Sequence, residues 1–152
     1  KAHYTFTGWY DGETFVGMDG TSYRPDHSAT LTASWTINNH DVTFNTAGGD
    51  AIADQTNVDY DTTVTVPTPS RTGYTFTGWT SGDVTVTAGT FTMPDSAVAL
   101  TATWEINTYT ITWVSESVTE QTDEVTVLDT LPTAPAACAA MTSPAAWCAN
   151  TP

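Results

Sequence analysis

The six residues Tyr74-Thr-Phe-Thr-Gly-Trp79 also occur earlier in the chain, as Tyr4-Thr-Phe-Thr-Gly-Trp9. The two tryptophans are 70 positions apart (79 − 9). A second pair of segments follows in the same order, Leu31-Thr-Ala-Ser-Trp35 and Leu100-Thr-Ala-Thr-Trp104, at a spacing of 69 (104 − 35). Two ordered matches at nearly one spacing indicate a tandem repeat in which each copy is a small structural module.

A third and weaker copy begins after the second. Ile111-Thr-Trp113 corresponds to Val42-Thr-Phe44, again 69 positions on (113 − 44), and Trp147 corresponds to Trp79. On this alignment the sequence begins and ends within a repeat. It divides into three predicted segments: the C-terminal part of a repeat at residues 1–39, a complete repeat at 40–107, and the N-terminal part of a divergent repeat at 108–152.

Alternation of apolar residues with threonine predicts β-strands in every copy. In Tyr109-Thr-Ile-Thr-Trp113 the pattern has period two, so one face of the strand packs on a core while the other meets water. Pro67-Thr-Pro69 predicts a connection, because proline is excluded from central strands. Only residues 94–99 suit a helical turn, with Pro94 near its first position. The predicted fold is mainly β, with small tandem modules and little helix.

The charge balance excludes two classes of partner. Seventeen acidic residues stand against three basic ones, which gives a formal net charge of −14. A surface of this kind repels phosphate backbones and anionic lipid head groups. No apolar run approaches the roughly 20 residues that a membrane-spanning helix needs. The sequence therefore excludes nucleic acid as a partner and predicts no insertion into a membrane.

Four blocks of the central segment together resemble a known family. The blocks are Val42-Thr-Phe-Asn-Thr-Ala-Gly-Gly49, Pro67-Thr-Pro69, Gly73-Tyr-Thr-Phe-Thr-Gly-Trp79 and Leu100-Thr-Ala-Thr-Trp104. In this order they resemble the Listeria–Bacteroides repeat, the B-repeat type of internalin-like surface proteins. The resemblance covers the complete repeat and part of each flank. It implies small β-grasp-like modules, arranged in tandem on secreted or cell-surface bacterial proteins as spacers or adhesive stalks.

The third copy departs from the family pattern. Where the family has Gly-Tyr-x-Phe-x-Gly-Trp, this chain has a segment bounded by Cys138 and Cys148, without the expected aromatic residues. The two cysteines do not have a CxxC spacing. A local disulfide is predicted, which would replace part of the missing packing, and two free thiols are the alternative.

The aromatic residues allow two interpretations. Tryptophans at fixed repeat positions predict core residues, because large aromatic side chains dominate core burial. The alternative is that some of the six tryptophans stack on carbohydrate. The predicted structural core consists of Trp9, Trp35, Phe44, Tyr74, Phe76, Trp79, Leu100, Trp104, Trp113 and Trp147. Tyrosines without an aromatic counterpart in the other copies are the candidates for ligand contacts: Tyr10, Tyr23 and Tyr60.

No sequence pattern typical of catalysis or metal binding is present. The chain lacks a Gly-x-Ser-x-Gly elbow, a His-Glu-x-x-His motif and a phosphate-binding glycine loop. Acidic turns such as Asp11-Gly-Glu13 and Asp59-Tyr-Asp61 offer calcium ligands but lack an EF-hand spacing, so solvated turn residues are favoured. His3, His27 and His40 fall at unrelated repeat positions. We therefore predict no catalytic residue, no metal ligand and no cofactor.

These observations predict a non-enzymatic structural or adhesive module of a secreted or cell-surface protein, either a stalk, an adhesin or a subunit of an extracellular filament. The expected partners are neighbouring repeats or copies of the chain itself. A half module exposes unpaired strand edges. Either each flank packs on the central copy, or head-to-tail assembly with another chain completes the half modules. The alternative is a module that binds a glycan or a host surface protein through its loop tyrosines.

We expect Cys138 and Cys148 to be bonded to each other in the oxidised protein. The bond should stabilise the fold by about 3 kcal/mol, because it closes a short loop. Mass spectrometry after alkylation should find no modified thiol in the unreduced protein and two after reduction. Two alkylated thiols in the unreduced protein would contradict the pairing.

Overall fold

The computed structural model describes residues 1–115, 118–130 and 132–134. Within these residues the chain forms eleven β-strands and no helix, which confirms the predicted mainly-β fold. The predicted disulfide partners Cys138 and Cys148, together with Trp147, lie outside the described residues. The strands are β1 (Tyr4–Asp11), β2 (Thr14–Gly17), β3 (Leu31–Ile37), β4 (Asn39–Asn45), β5 (Gln55–Asp59), β6 (Thr63–Thr65), β7 (Tyr74–Thr80), β8 (Thr90–Thr92), β9 (Val98–Ile106), β10 (Tyr109–Ser115) and β11 (Val118–Val125).

The segment that was expected to form a helical turn does not do so. It bends at Asp95 and Ser96, and β9 begins at Val98. Val98 already pairs with Val42 of β4. Too few residues are then left between Pro94 and the strand for a helical turn, whose first hydrogen bond carries a high entropic cost.

The described residues form two compact units, Lys1–Ser70 with Phe76–Thr103, and Arg71–Thr75 with the described residues from Trp104 onward. The first unit contains a three-stranded sheet of order β2-β1-β3 and the ribbon β6–β8, and the second contains the ribbon β10–β11. A four-stranded sheet has the order β5-β4-β9-β7. In it, β4 is antiparallel to β5 and parallel to β9. Parallel neighbours require a long crossover, which β5 to β8 supply. The complete copy thus contains a mixed sheet in which its first and last strands are adjacent.

The core of the first unit is apolar and contains one indole with a satisfied N–H group. Trp79 packs edge to face against Phe44, with ring centroids 5.3 Å apart, and against Phe76 at 5.6 Å. Its indole nitrogen donates a hydrogen bond to the carbonyl of Pro67 at 2.8 Å. The buried hydrophobic residues are Val42, Val64, Val66, Trp79, Phe91, Met93, Val98, Leu100 and Ala102.

The glycine of the repeated six-residue motif occupies a β-bulge. The register between β1 and β3 shifts between Phe6 and Gly8. This extra residue brings Phe6 and Trp9 onto one face although they are three positions apart, and their rings contact edge to face at 5.7 Å. Gly8 and Gly78 have φ angles of 138° and 145°. Residues with a Cβ atom rarely adopt such angles, so the motif requires glycine before its tryptophan.

We expect Gly78→Ala to lower the free energy of unfolding by about 1–3 kcal/mol through backbone strain. A Cβ at this position would meet no atom within 4 Å, so steric overlap would not contribute. The matched control is Gly82→Ala, where a Cβ also has free space and φ is not positive. Urea denaturation should give a lower midpoint for Gly78→Ala and a nearly unchanged one for Gly82→Ala. Equal midpoints for the two variants would show that position 78 does not require glycine.

Candidate functional site

Asn38 connects the first copy to the second and is hydrogen-bonded through both its backbone and its side chain. It is the only residue between the end of β3 and the start of β4. Its backbone N–H donates to the carbonyl of His3 at 3.0 Å, and its carbonyl accepts from the backbone of Tyr60 at 2.8 Å. The hydroxyl of Thr5 donates to its side-chain oxygen at 2.8 Å. The junction between the two copies is therefore fixed by hydrogen bonds to both.

Asp95 lies at the centre of this junction. Its two carboxylate oxygens accept from Asn38 Nδ2 at 3.0 and 3.1 Å. His40 Nε2 lies 3.0 Å from one oxygen, and His3 Nδ1 lies 3.0 Å from the other. His3 also stacks on Tyr60 with centroids 4.0 Å apart. The hydrogen bond from His40, followed by those from Asn38 and His3, lowers the pKa of Asp95 from 3.8 to about 2.

The same connection recurs in the second unit, after the complete copy. The hydroxyl of Thr75 donates to the side-chain oxygen of Asn107 at 2.6 Å. The backbone N–H of Asn107 donates to the carbonyl of Gly73 at 2.9 Å. These contacts repeat those of Thr5, Asn38 and His3, because Ile106-Asn107 repeats Ile37-Asn38 in the sequence.

A cation–π contact also recurs at the start of the repeated motif. Lys1 Nζ lies 3.4 Å from the ring centroid of Tyr4, and the Arg71 guanidinium lies 3.7 Å from that of Tyr74. Two of the three basic residues of the chain therefore occupy equivalent positions in successive copies.

The aromatic face of the three-stranded sheet is open, unlike its counterpart in the complete copy. Trp9 and Leu31 are 36% and 38% exposed, whereas Trp79 and Leu100 are 8% and 1% exposed. In the complete copy, β4 lies beside β9 and its Phe44 packs on the indole. Within the described residues, β3 has no partner strand on its outer edge. The missing neighbour accounts for the exposure.

The predicted core residues divide by exposure. Trp79 and Leu100 are buried, and Trp35 is 37% exposed, like Trp9. Trp35 contacts Phe6 edge to face at 5.1 Å. The half-buried members of the predicted core are Phe44, Tyr74, Phe76, Trp104 and Trp113.

The three candidate tyrosines do not form one site. Tyr10 is half-buried and packs edge to face on Phe15, with centroids 5.5 Å apart. Tyr60 lies at the junction, on His3. Tyr23 is 38% exposed, and its hydroxyl donates to Asp11 at 2.8 Å. This hydrogen bond to a carboxylate raises the pKa of Tyr23.

His27 ties the loop before β3 to the end of β1. Its Nδ1 lies 2.8 Å from Asp26 and its Nε2 lies 3.0 Å from Asp11. The hydrogen bond to Asp26, followed by the charge of Asp11, raises the pKa of His27. His27 and Tyr23 thus share the Asp11 carboxylate as a hydrogen-bond partner. Of the three candidate tyrosines, Tyr23 is the most exposed.

Sequence reasoning did not single out Asp95 or Asn38. The recurrence of asparagine after Ile37 and Ile106 was the available signal. Among the described residues, no group of three or more His, Cys, Asp or Glu side chains is arranged to hold a metal ion. The described part of the chain also contains no helix with the length and hydrophobicity needed to span a membrane.

Comparison with known proteins identifies the central segment. Residues 40–103 match the Listeria-Bacteroides repeat domain, which confirms the resemblance seen in the sequence. A putative Gly-rich membrane protein of Evansella cellulosilytica is 34% identical over 138 residues, covering 76% of this chain and 15% of the relative. Internalin H of Listeria monocytogenes is 42% identical over 82 residues, covering 52% of this chain and 14% of the relative.

The chain spans only a small part of these proteins. A second Evansella cellulosilytica relative, a putative membrane protein, is 30% identical over 118 residues, which cover 74% of this chain and 18% of the relative. No solved structure matches the chain.

We expect the junction to weaken in acid. Because the pKa of Asp95 is lowered to about 2, its stabilising contribution is complete above its usual pKa of 3.8 and is lost as the pH falls from about 4 to about 2. Asp95→Asn should therefore melt below the wild type at pH 5, and the two curves should converge towards pH 2. Asp83→Asn, at an exposed turn, is the control and should differ little from the wild type at any pH. A constant difference between Asp95→Asn and wild type from pH 5 to pH 2 would contradict the assignment.

Proposed function

We propose that this chain, whose residues 40–103 match the Listeria-Bacteroides repeat domain, is a non-enzymatic segment of a β-repeat stalk on a secreted or cell-surface protein. The observation that carries the proposal is the junction at Asn38, whose contacts to Thr5 and His3 recur at Asn107. A stalk must hold each module in a defined direction relative to the next. At Asn38 a single linking residue with its backbone and side chain hydrogen-bonded meets that need, whereas a flexible linker does not.

The composition of the chain and the names of its relatives support the same function. A formal net charge of −14 favours solubility and keeps the chain away from anionic surfaces, as a spacer requires. The relatives carry the names of membrane proteins and of an internalin. Those names support a location at the cell surface for the protein that contains this segment.

The spacer function predicts a narrow distance distribution across the first junction. Spin labels attached by non-cysteine chemistry at Glu13 and Thr56, two exposed positions on either side of Asn38, would report it in pulsed electron paramagnetic resonance. Asn38→Ala should broaden the distribution, because it removes the bonds to Thr5 and Asp95. The neighbouring Asn39→Ala is the control and should leave it narrow. A wild-type distribution as broad as that of Asn38→Ala would contradict a rigid spacer.

A second candidate function is the binding of a glycan or a host protein by the first copy. Three large apolar side chains close in sequence favour it: Phe15 is 52% exposed, Met18 50% and Tyr23 38%. Contiguous patches of exposed apolar side chains are typical of interaction surfaces. A glycan array or a pull-down with the full chain should then detect saturable binding that Tyr23→Ala abolishes. Retained binding in Tyr23→Ala would exclude this tyrosine as the contact.

A further inference from the structure

The outer edge of β7 is the less protected edge of the four-stranded sheet. Proteins usually protect an exposed strand edge with charged residues or proline. Strand β5, at the opposite edge, ends in Asp59, and the Asp41 carboxylate accepts from the backbone N–H of Asn57 at 3.0 Å. Strand β7 contains no charged residue and no proline, and within the described residues it pairs only with β9. Both edges belong to the complete copy.

The first copy shows which element covers the equivalent edge. There β1 lies between β3 and β2, and Tyr10 is opposite Phe15 in the β1–β2 pair. The Phe15 ring covers Gly8, so a Cβ at Gly8 would overlap it. Between β7 and β8 the complete copy forms no strand, and a Cβ at Gly78 would meet no atom within 4 Å. A strand with an aromatic side chain is therefore what the edge of β7 lacks.

A groove lies beside β7 at this point. Its volume is about 380 Å³, which is within the roughly 300–1,000 Å³ of ligand pockets. One wall is formed by residues 76–79, and the other by residues 66–68 with Val86, Ala88 and Gly89. The backbone N–H of Val66 donates to the carbonyl of Gly89 at 2.9 Å, which joins the two segments of the second wall. The indole of Trp79 donates to the carbonyl of Pro67 and so connects the two walls.

The charge of the chain determines which kind of segment this groove attracts. All residues that line the groove are uncharged, whereas the whole chain has a formal net charge of −14. Asp83 is exposed in the bend that follows β7. A basic segment is attracted to such a molecule, and a second copy of the chain is repelled.

We propose that the groove and the outer edge of β7 bind an extended segment of a basic partner protein, with one aromatic side chain over Gly78. Main-chain hydrogen bonds to the strand edge hold the segment, and the groove selects the aromatic ring. With the register of β2, the aromatic residue lies opposite Thr80, and a segment longer than the four residues of β2 continues along residues 76–78. This binding goes beyond the spacer function, because it uses neither the Asn38 junction nor the exposed residues of the first copy.

A synthetic peptide tests the proposal with the full chain. The probe, Lys-Lys-Thr-Phe-Val-Gly-Thr-Val-Thr, contains the sequence of β2 after two lysines. Fluorescence anisotropy should show saturable binding of the labelled probe, and amide hydrogen exchange should slow in β7 but not in β5. Serine in place of the phenylalanine of the probe should weaken binding by about tenfold or more, because an aromatic anchor is lost. A probe that does not bind, or that slows exchange only in other strands, would overturn the proposal.

Two matched variants of the chain locate the binding. Ala88→Lys places a cationic side chain at the groove and should weaken binding of the basic probe by about tenfold or more, through repulsion of like charges. Ala47→Lys is the control and should bind like the wild type. Both alanines are exposed turn residues with φ angles of 50° and 49°, but Ala47 follows β4 and does not line the groove.

Circular dichroism checks that both variants are folded. Equal affinity of Ala88→Lys and Ala47→Lys for the probe would overturn the proposal. Sedimentation velocity of the chain without the probe should show a monomer. Dimers that Ala88→Lys dissociates would also overturn the proposal, since the occupant of the groove would then be a second copy.

Discussion

The packing of the Trp79 indole against Phe44 and Phe76 is the contact on which the complete copy depends. Phe76 contacts the indole on the same strand, and the φ angle of 145° at Gly78 repeats that of Gly8 in the first copy. Phe44 reaches it because β4 lies beside β9. One phenylalanine comes from the first strand of the copy and the other from the same strand as the indole. The core therefore closes only when both ends of the copy are present. Trp9 has the bulge and its phenylalanine but no strand of the β4 type, and it stays exposed.

The strands could be predicted from the sequence, whereas the burial of the aromatic residues could not. Alternation with threonine is a local property, and it predicted the strands around Phe44, Phe76, Trp104 and Trp113. Burial depends on a neighbouring strand that the motif itself does not contain, so identical motifs around Trp9 and Trp79 end in different environments. One further signal was present in the sequence. Phe91 and Met93 are buried, but their counterparts 69 positions earlier are Ser22 and Arg24, both exposed. The first copy therefore lacks the residues needed for a closed core.

The Asp95 cluster could not be predicted, because its members are far apart in the chain. His3 is 92 positions from Asp95, and His40 is 55. No periodic pattern links them, and each histidine by itself is typical of a solvated loop. Only the fold brings the start of β1, the link between copies and the bend before β9 to one carboxylate. The asparagine that organises the junction was visible as a repeated residue, but its role depends on the backbone of His3 and Tyr60.

The parallel pairing of β4 and β9 has a mechanical consequence. The chain enters the complete copy along β4 and leaves it along β9, and these two strands are direct neighbours. A pull on the two ends of the copy acts along both strands in opposite directions. It therefore loads their shared hydrogen bonds in shear, all at the same time, whereas a hairpin pulled apart at its open end breaks its bonds one after another. Because these bonds must break together, the topology favours resistance to extension, and tension passed along a row of such copies is carried by the same pair of strands in each.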